Sequence, residues 1–312
     1  MLSRRRVLTH SPVVGATVLL GTGLLGGCVT TSEPPPITRT RTPGPAPTRT
    51  SPSPSQPSAP TTKPPTTPTT KSTPRTNLRE LARALDGLAE DRGARLAVAV
   101  AVGDRVTTIG HPHTGPAWST SKVPLALAAL AHRPGAVTEA LVRRALRRSD
   151  NDAAEQLWAL WPDATRAAKA VTTVLRRSGD RRTTVPHRRS RPGYSIFGQT
   201  TWRLADQARF GLALRSLAHG KAVTAEMAAV AQNQQWGLWD GDDEPATVVK
   251  GGWGPDPDGG YLVRQLAMVR DAPIPWSAAL LAVPRSGQFT DGTAALSAVG
   301  RLLRSELEVT RN

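Results

Sequence analysis

The chain has 312 residues, 38% of them apolar, a formal charge of +16 at neutral pH and one cysteine. That length accommodates one large domain or two small ones, and a single cysteine excludes an intramolecular disulfide. The charge divides evenly: residues 1–76 carry nine Lys/Arg against one acid, giving +8, and the remainder carries 31 against 23, also +8. A basic surface of this kind suits anionic lipid or anionic wall polymers, and no nucleic-acid-binding motif accompanies it.

In chain order, Ser3-Arg4-Arg5-Arg6-Val7-Leu8 is a basic leader that resembles a twin-arginine export signal. Val13 to Leu25 follows as an apolar, Gly-containing stretch too short to span a membrane comfortably, so a processed signal is expected over residues 1–28. Leu25-Gly26-Gly27-Cys28 resembles a bacterial lipobox, which implies lipidation of Cys28 and a membrane-anchored, extracytoplasmic protein. An ordinary signal peptide with an incidental cysteine is the alternative. Residues 29–76 are dominated by Pro, Thr and Ser and show no hydrophobic period. Such a segment cannot bury enough apolar surface to offset its ordering entropy, and it reads as an extended tether.

The folded domain is expected over residues 77–312. Asn77 with Glu80 suits a capping pair, and Leu78, Leu81, Leu85 and Leu88 have helical spacing up to Gly93. Two strands follow, Arg95–Val102 and Arg105–Ile109, joined by a Gly103-Asp104 turn. The middle predicts helices over Ser119–His132, Ala136–Arg147, Ala153–Trp161, Ala164–Arg177, Thr200–Ala218 and Thr224–Gln232. Three strands near Ala246–Lys250, Tyr261–Arg270 and Trp276–Val283 precede a last amphipathic helix, Thr293–Leu307. The fold class is α/β in the α+β sense. It has a five-stranded antiparallel sheet flanked by N- and C-terminal helices, with an inserted, shortened helical lobe.

Ser119 and Lys122 lie three residues apart at the mouth of a helix, so they share a face. A serine hydroxyl needs a base to take its proton, and a lysine can serve only when burial or nearby positive charge depresses its pKa. Ser149-Asp150-Asn151 follows, and Lys250-Gly251-Gly252 comes later at the end of a predicted strand. The first of these also suits a helix N-cap, which needs no catalysis.

In this order and context the three stretches resemble those of the penicillin-recognising serine acyltransferases, class A β-lactamases in particular, over roughly residues 77–312. The resemblance implies that Ser119 is acylated while Lys122 takes or relays its proton. It implies that Ser149 passes a proton to the leaving group and that Asn151 orients Lys122 and the substrate amide. Asp150 is expected to hold the loop. Lys250 would polarise the serine relay and attract a substrate carboxylate. Gly252 would let the substrate approach the strand, and the N–H groups of Ser119 and Trp253 would bind the oxyanion. The implied substrates are small β-lactams or D-alanyl-type wall peptides. A monomer with no cofactor, no metal and no nucleic-acid partner is expected; His111 and His113 do not read as a zinc site.

Three departures bear on this. Gly251 stands where the family keeps a hydroxyl residue that binds the substrate carboxylate. The gap between Lys122 and Ser149 is short. Between residues 177 and 200 the one acid is Asp180, so the deacylating glutamate of the family has no counterpart in that loop. The loop is basic instead, with Arg181, Arg182, His187, Arg188, Arg189 and Arg191, and reads as a solvated stretch or as a replacement anion-binding element. Two rivals therefore stand beside a serine hydrolase with a slowly cleared acyl-enzyme. One is a catalytically degraded lipoprotein with a wall-binding or structural role, and the other is an esterase on the same scaffold.

Overall fold

The computed structural model of the chain describes residues 78–111, 114–239, 241, 246–256, 260–270, 272 and 274–308. The leader, Cys28, the tether, the Asn77 cap and His113 lie outside the described residues.

Helix α1 (Leu78–Asp91) buries Leu81 and Leu85 along one stripe. Strands β1 (Ala94–Val102) and β2 (Arg105–Gly110) form the expected hairpin. Six helices follow: α2 (Lys122–His132), α3 (Ala136–Arg147), α4 (Asn151–Trp158), α5 (Ala164–Arg177), α6 (Leu204–Ala213) and α7 (Gly220–Ala228); α6 lies on the sheet and the others build the lobe. Strands β3 (Thr247–Pro255), β4 (Tyr261–Val269) and β5 (Trp276–Pro284) and helix α8 (Phe289–Glu308) complete the chain. The sheet order is β2-β1-β5-β4-β3, antiparallel throughout, so the N-terminal hairpin joins the C-terminal strands and one β-sheet carries both ends. This is the architecture the motifs implied.

Apolar side chains of α1, α8 and the sheet (Leu85, Val249, Leu280, Leu296 and Leu303 among them) form one core layer. Against the opposite face packs α6; there Gly211 leaves room for Leu266 and Ser277, whose atoms a Cβ would meet at 2.9 and 3.1 Å. The lobe has its own core around α2, which is buried continuously from Lys122 to Leu130. A helix apolar on all sides needs neighbours all round, and α3, α4, α5 and α7 supply them. Pro124 is tolerated because it sits in the first turn, where its missing N–H would have had no intrahelical partner.

Several expected boundaries move, among them the starts of α4 and α8, which lie earlier at Asn151 and Phe289. The stretch from Thr200 to Arg203 is extended, not helical, because Thr200 accepts the Ala117 N–H (2.7 Å) and Thr201 bridges Pro116. The helix expected from Thr224 begins at Gly220 and ends at Ala228. The largest change is in β3: Lys250 does not end the strand, which continues through Gly251, Gly252, Trp253 and Gly254, paired with β4 as far as Pro255 opposite Tyr261. Glycines weaken a strand intrinsically, but here each is pressed against a neighbour that leaves no room for a side chain. A Cβ on Gly251 would lie 2.4 Å from the Trp236 ring, and one on Gly254 2.6 Å from the Trp118 indole.

Candidate active site

Ser119 lies in a 3-10 turn, Trp118–Ser121, that runs directly into α2. Being in the first turn, its N–H has no acceptor within the helix and is left for another group. The turn is pinned from three sides. Thr120 Oγ1 and Ser121 Oγ donate back to the carbonyls of Ala117 and Trp118 (2.5 and 2.6 Å). Arg264, fully buried on β4, donates to the carbonyls of Gly115, Pro116 and Trp202 and to Gln207 Oε1. Gly252 of β3 presses from below; a Cβ there would stand 2.8 Å from Ala117 O and 2.9 Å from Ser119 N. Trp118 holds φ = +48°, a left-handed conformation that costs a bulky residue roughly 1–3 kcal/mol and needs such surroundings to persist.

Lys122, on the next turn, is 1% exposed. Its Nζ donates to the Ser149 carbonyl (2.6 Å) and to Asn151 Oδ1 (2.7 Å), and lies 3.4 Å from Ser149 Oγ. Ser149 has φ = +56°, a conformation that turns its carbonyl and hydroxyl toward the lysines together. Lys250 approaches from the sheet, donating to Ser149 Oγ (3.0 Å) and to the Gly251 carbonyl (2.8 Å). One hydroxyl thus bridges two lysines. Burial pushes Lys122 down from 10.5 to about 7, against the opposing pull of the Asp150 and Glu155 carboxylates. Burial, and then the charge on Lys122, holds Lys250 well below the ordinary lysine range. Lys122 is therefore partly neutral at neutral pH. Its two N–H donors are then taken by the 2.6 and 2.7 Å bonds, which leaves the lone pair for an incoming proton.

The N-cap and active-site readings of Ser149-Asp150-Asn151 prove compatible. Asp150 caps α4 by accepting the Ala153 N–H (2.9 Å) and is held by Arg144 (2.6 Å), so it secures the loop while Ser149 and Asn151 face Lys122.

These groups open on a cavity of about 550 Å³ lined by Ser119, Lys122, Ser149, Asn151 and Trp253, with Trp118, Tyr194 and Tyr261 as aromatic walls. Of the predicted site residues, Lys250 and Gly252 do not line it. Lys250 sits behind Ser149 with 0% exposure, where it can support the hydroxyl but cannot meet a substrate carboxylate itself. Gly252 lies against the Ser119 turn and not against the cavity. The ring that fills the space beside Gly251 is Trp236.

The basic loop is ordered from within. Gln199 Oε1 accepts from the N–H groups of Ser190 and Arg191 and from Ser190 Oγ, while its Nε2 donates to the carbonyls of Tyr194 and Arg191. Arg191 stacks over Trp118 and Tyr194 (5.4 and 5.0 Å) and donates to Pro255 O, so it joins the loop to β3. Arg189 reaches the cavity mouth, while Arg181, Arg182, His187 and Arg188 are exposed. Asp180 is fully buried and committed elsewhere, accepting from the N–H groups of Arg182 and Thr183 and from Trp202 Nε1. One acid lines the cavity among the described residues: Glu155, on α4. It lies outside the segment between residues 177 and 200, where the resemblance places a deacylating carboxylate. Its signal was the i, i+4 spacing from Asn151, which puts both on one helix face.

No family model matches the chain, and no curated protein does. Solved structures do. A class A β-lactamase from Mycobacterium abscessus superposes with a TM-score of 0.57 at 18% identity, over 73% of this chain and 99% of that one. A double mutant of the class A β-lactamase of the last common ancestor of Gram-negative bacteria gives 0.57 at 21%, over 73% and 99%. The chromosome-encoded β-lactamase of Vibrio parahaemolyticus gives 0.53 at 15%, over 74% and 99%. Identities this low speak for backbone architecture, and architecture alone does not carry chemistry. The described domain has the class A β-lactamase fold.

Proposed function

We propose that the domain is a serine acyl-transfer hydrolase acting on β-lactams or D-alanyl-type wall peptides through an acyl-enzyme at Ser119. The observation that carries this is the Lys122–Ser149–Lys250 contact chain beside Ser119, with Lys122 brought to about 7 by burial. In acylation, Ser119 Oγ bonds to the carbonyl carbon and its proton passes to the Lys122 lone pair. The N–H groups of Ser119 and Trp253 hold the oxyanion, each worth roughly 10²–10³ in rate in comparable sites. On collapse the C–N bond breaks, the nitrogen takes the Ser149 hydroxyl proton, and Lys122 returns its proton to Ser149. Arg189 at the cavity mouth supplies positive charge for an anionic substrate group, in place of the hydroxyl absent at Gly251.

The deciding experiment is intact mass of the purified chain after incubation with benzylpenicillin. An added penicilloyl mass that maps to Ser119 and vanishes in Ser119→Ala supports the reading. Neither adduct nor turnover at any penicillin concentration, with D-alanyl peptides also uncleaved, would sink it. Anchoring through lipidated Cys28 belongs to the same proposal. Cys28→Ala is expected to release the protein from membranes or stall its processing, and unchanged retention with normal processing would count against it.

A further inference from the structure

We propose that Glu155 is the base that activates the hydrolytic water, giving this chain a deacylating carboxylate on helix α4 and not on the loop after α5. The inference rests on the acyl-enzyme reading above.

Clearing an ester from Ser119 requires a water molecule, space for it beside the acyl carbon, and a group to take its proton. The cavity of about 550 Å³ is ample for water next to a bound acyl group. Three carboxylates near the site are accounted for otherwise. Asp150 is spent on Arg144 and the α4 cap. Asp180 is buried behind the loop with its oxygens bonded. Asp152 is exposed and outside the cavity.

Glu155 differs from all three. It is half-buried and lines the same cavity as Ser119 and Lys122, and its carboxylate takes no hydrogen bond or ion pair among the described residues. Its charge is felt at Lys122. It stands one helical turn after Asn151, whose Oδ1 is already bonded to Lys122, so α4 presents an amide and then a carboxylate to one side of the site. Ala153, Ala154, Leu157 and Trp158 are buried on that helix, which fixes its rotation and hence the side Glu155 occupies.

The step balances without any further reagent. Water gives a proton to the Glu155 carboxylate as its oxygen bonds to the acyl carbon. The tetrahedral adduct collapses, the bond from carbon to Ser119 Oγ breaks, and Oγ recovers a proton through Lys122, which Glu155 reprotonates. The product leaves as a free acid.

The test compares the full chain with Glu155→Gln, following penicilloyl-adduct formation and decay by time-resolved intact mass. The amide keeps the side chain's shape and cannot take a proton. Adduct formation is expected within about threefold of the parent, with decay slowed roughly 10²–10⁴-fold, the usual worth of a general base. In Glu155→Ala, added formate is expected to restore part of the decay rate, which a purely structural role would not allow. Equal decay in parent and Glu155→Gln, with Ser119 still acylated, overturns the inference and leaves the acyl-enzyme reading standing. Slowed formation with unchanged decay overturns it too, assigning Glu155 to substrate binding. If the parent forms no adduct and turns nothing over, both readings fail together.

Discussion

Replacing Lys122 with methionine removes a buried amine whose state can be read from stability alone. The unfolded chain keeps this proton up to the ordinary lysine value of 10.5, whereas the folded chain releases it at about 7. Between those values the unfolded state binds more protons, so stability rises with pH, by up to about 1.4 kcal/mol per pH unit from this group. The contribution is fully present above 10.5, declines progressively as pH falls toward about 7, and is gone below that value. From pH 7.5 to 9.5 it amounts to about 2.5 kcal/mol. Methionine has similar length and no proton, so Lys122→Met lacks this increment. The parent should therefore gain on the variant by about that amount over the interval. Urea unfolding of both proteins at the two pH values, followed by fluorescence of the eight tryptophans, measures the difference. Lys250 shifts in the same direction but is present in both proteins, so most of its contribution cancels. Parallel curves, or a variant that gains on the parent as pH rises, would show that Lys122 is not held partly neutral, and the base assignment would fall with it.

The acylation rate itself should climb as pH rises through about 7 and then level off, and Lys122→Arg should abolish it because a guanidinium cannot be deprotonated; normal acylation by that variant would refute the assignment. Gly252→Ala puts a Cβ within 2.9 Å of fixed backbone at the Ser119 turn, so a stability loss of about 1–3 kcal/mol and a larger loss of acylation are expected, read by thermal melting and adduct mass. Restoring a hydroxyl by Gly251→Thr should destabilise by a similar amount, since its Cβ would collide with the Trp236 ring, and fluorescence should report the displaced indole. Arg264→Met strips the carbonyls of Gly115, Pro116 and Trp202 of a buried donor, at roughly 1–3 kcal/mol for each group left unmet; an unchanged urea midpoint would show that water replaces it.

Features dictated by local chemistry are legible in the residues alone. Helices α3 and α5 fall at Ala136–Arg147 and Ala164–Arg177 as expected, because each has a clean apolar period and punctuated ends: Pro134-Gly135 before one, Asp163 capping the other. The β1–β2 hairpin was legible from its alternation and its Gly103-Asp104 turn. The order of the three motifs placed Ser119, Lys122, Ser149 and Lys250 in one chemical context. How those residues meet depends on contacts between segments far apart in the chain. Strand β3 outruns its apolar pattern because pairing with β4 and close approach by Trp236 and the Ser119 turn outweigh glycine's low strand propensity. Residues 200–203 are not helical because a bond from Ala117, distant in sequence, holds them extended. The Lys122 pKa is set by burial, which depends on every element packed around α2 and on no spacing within it. The place of Glu155 in the cavity was hidden for the same reason: a carboxylate one turn along a helix comes to line a cavity with Ser119 only when distant segments pack around both.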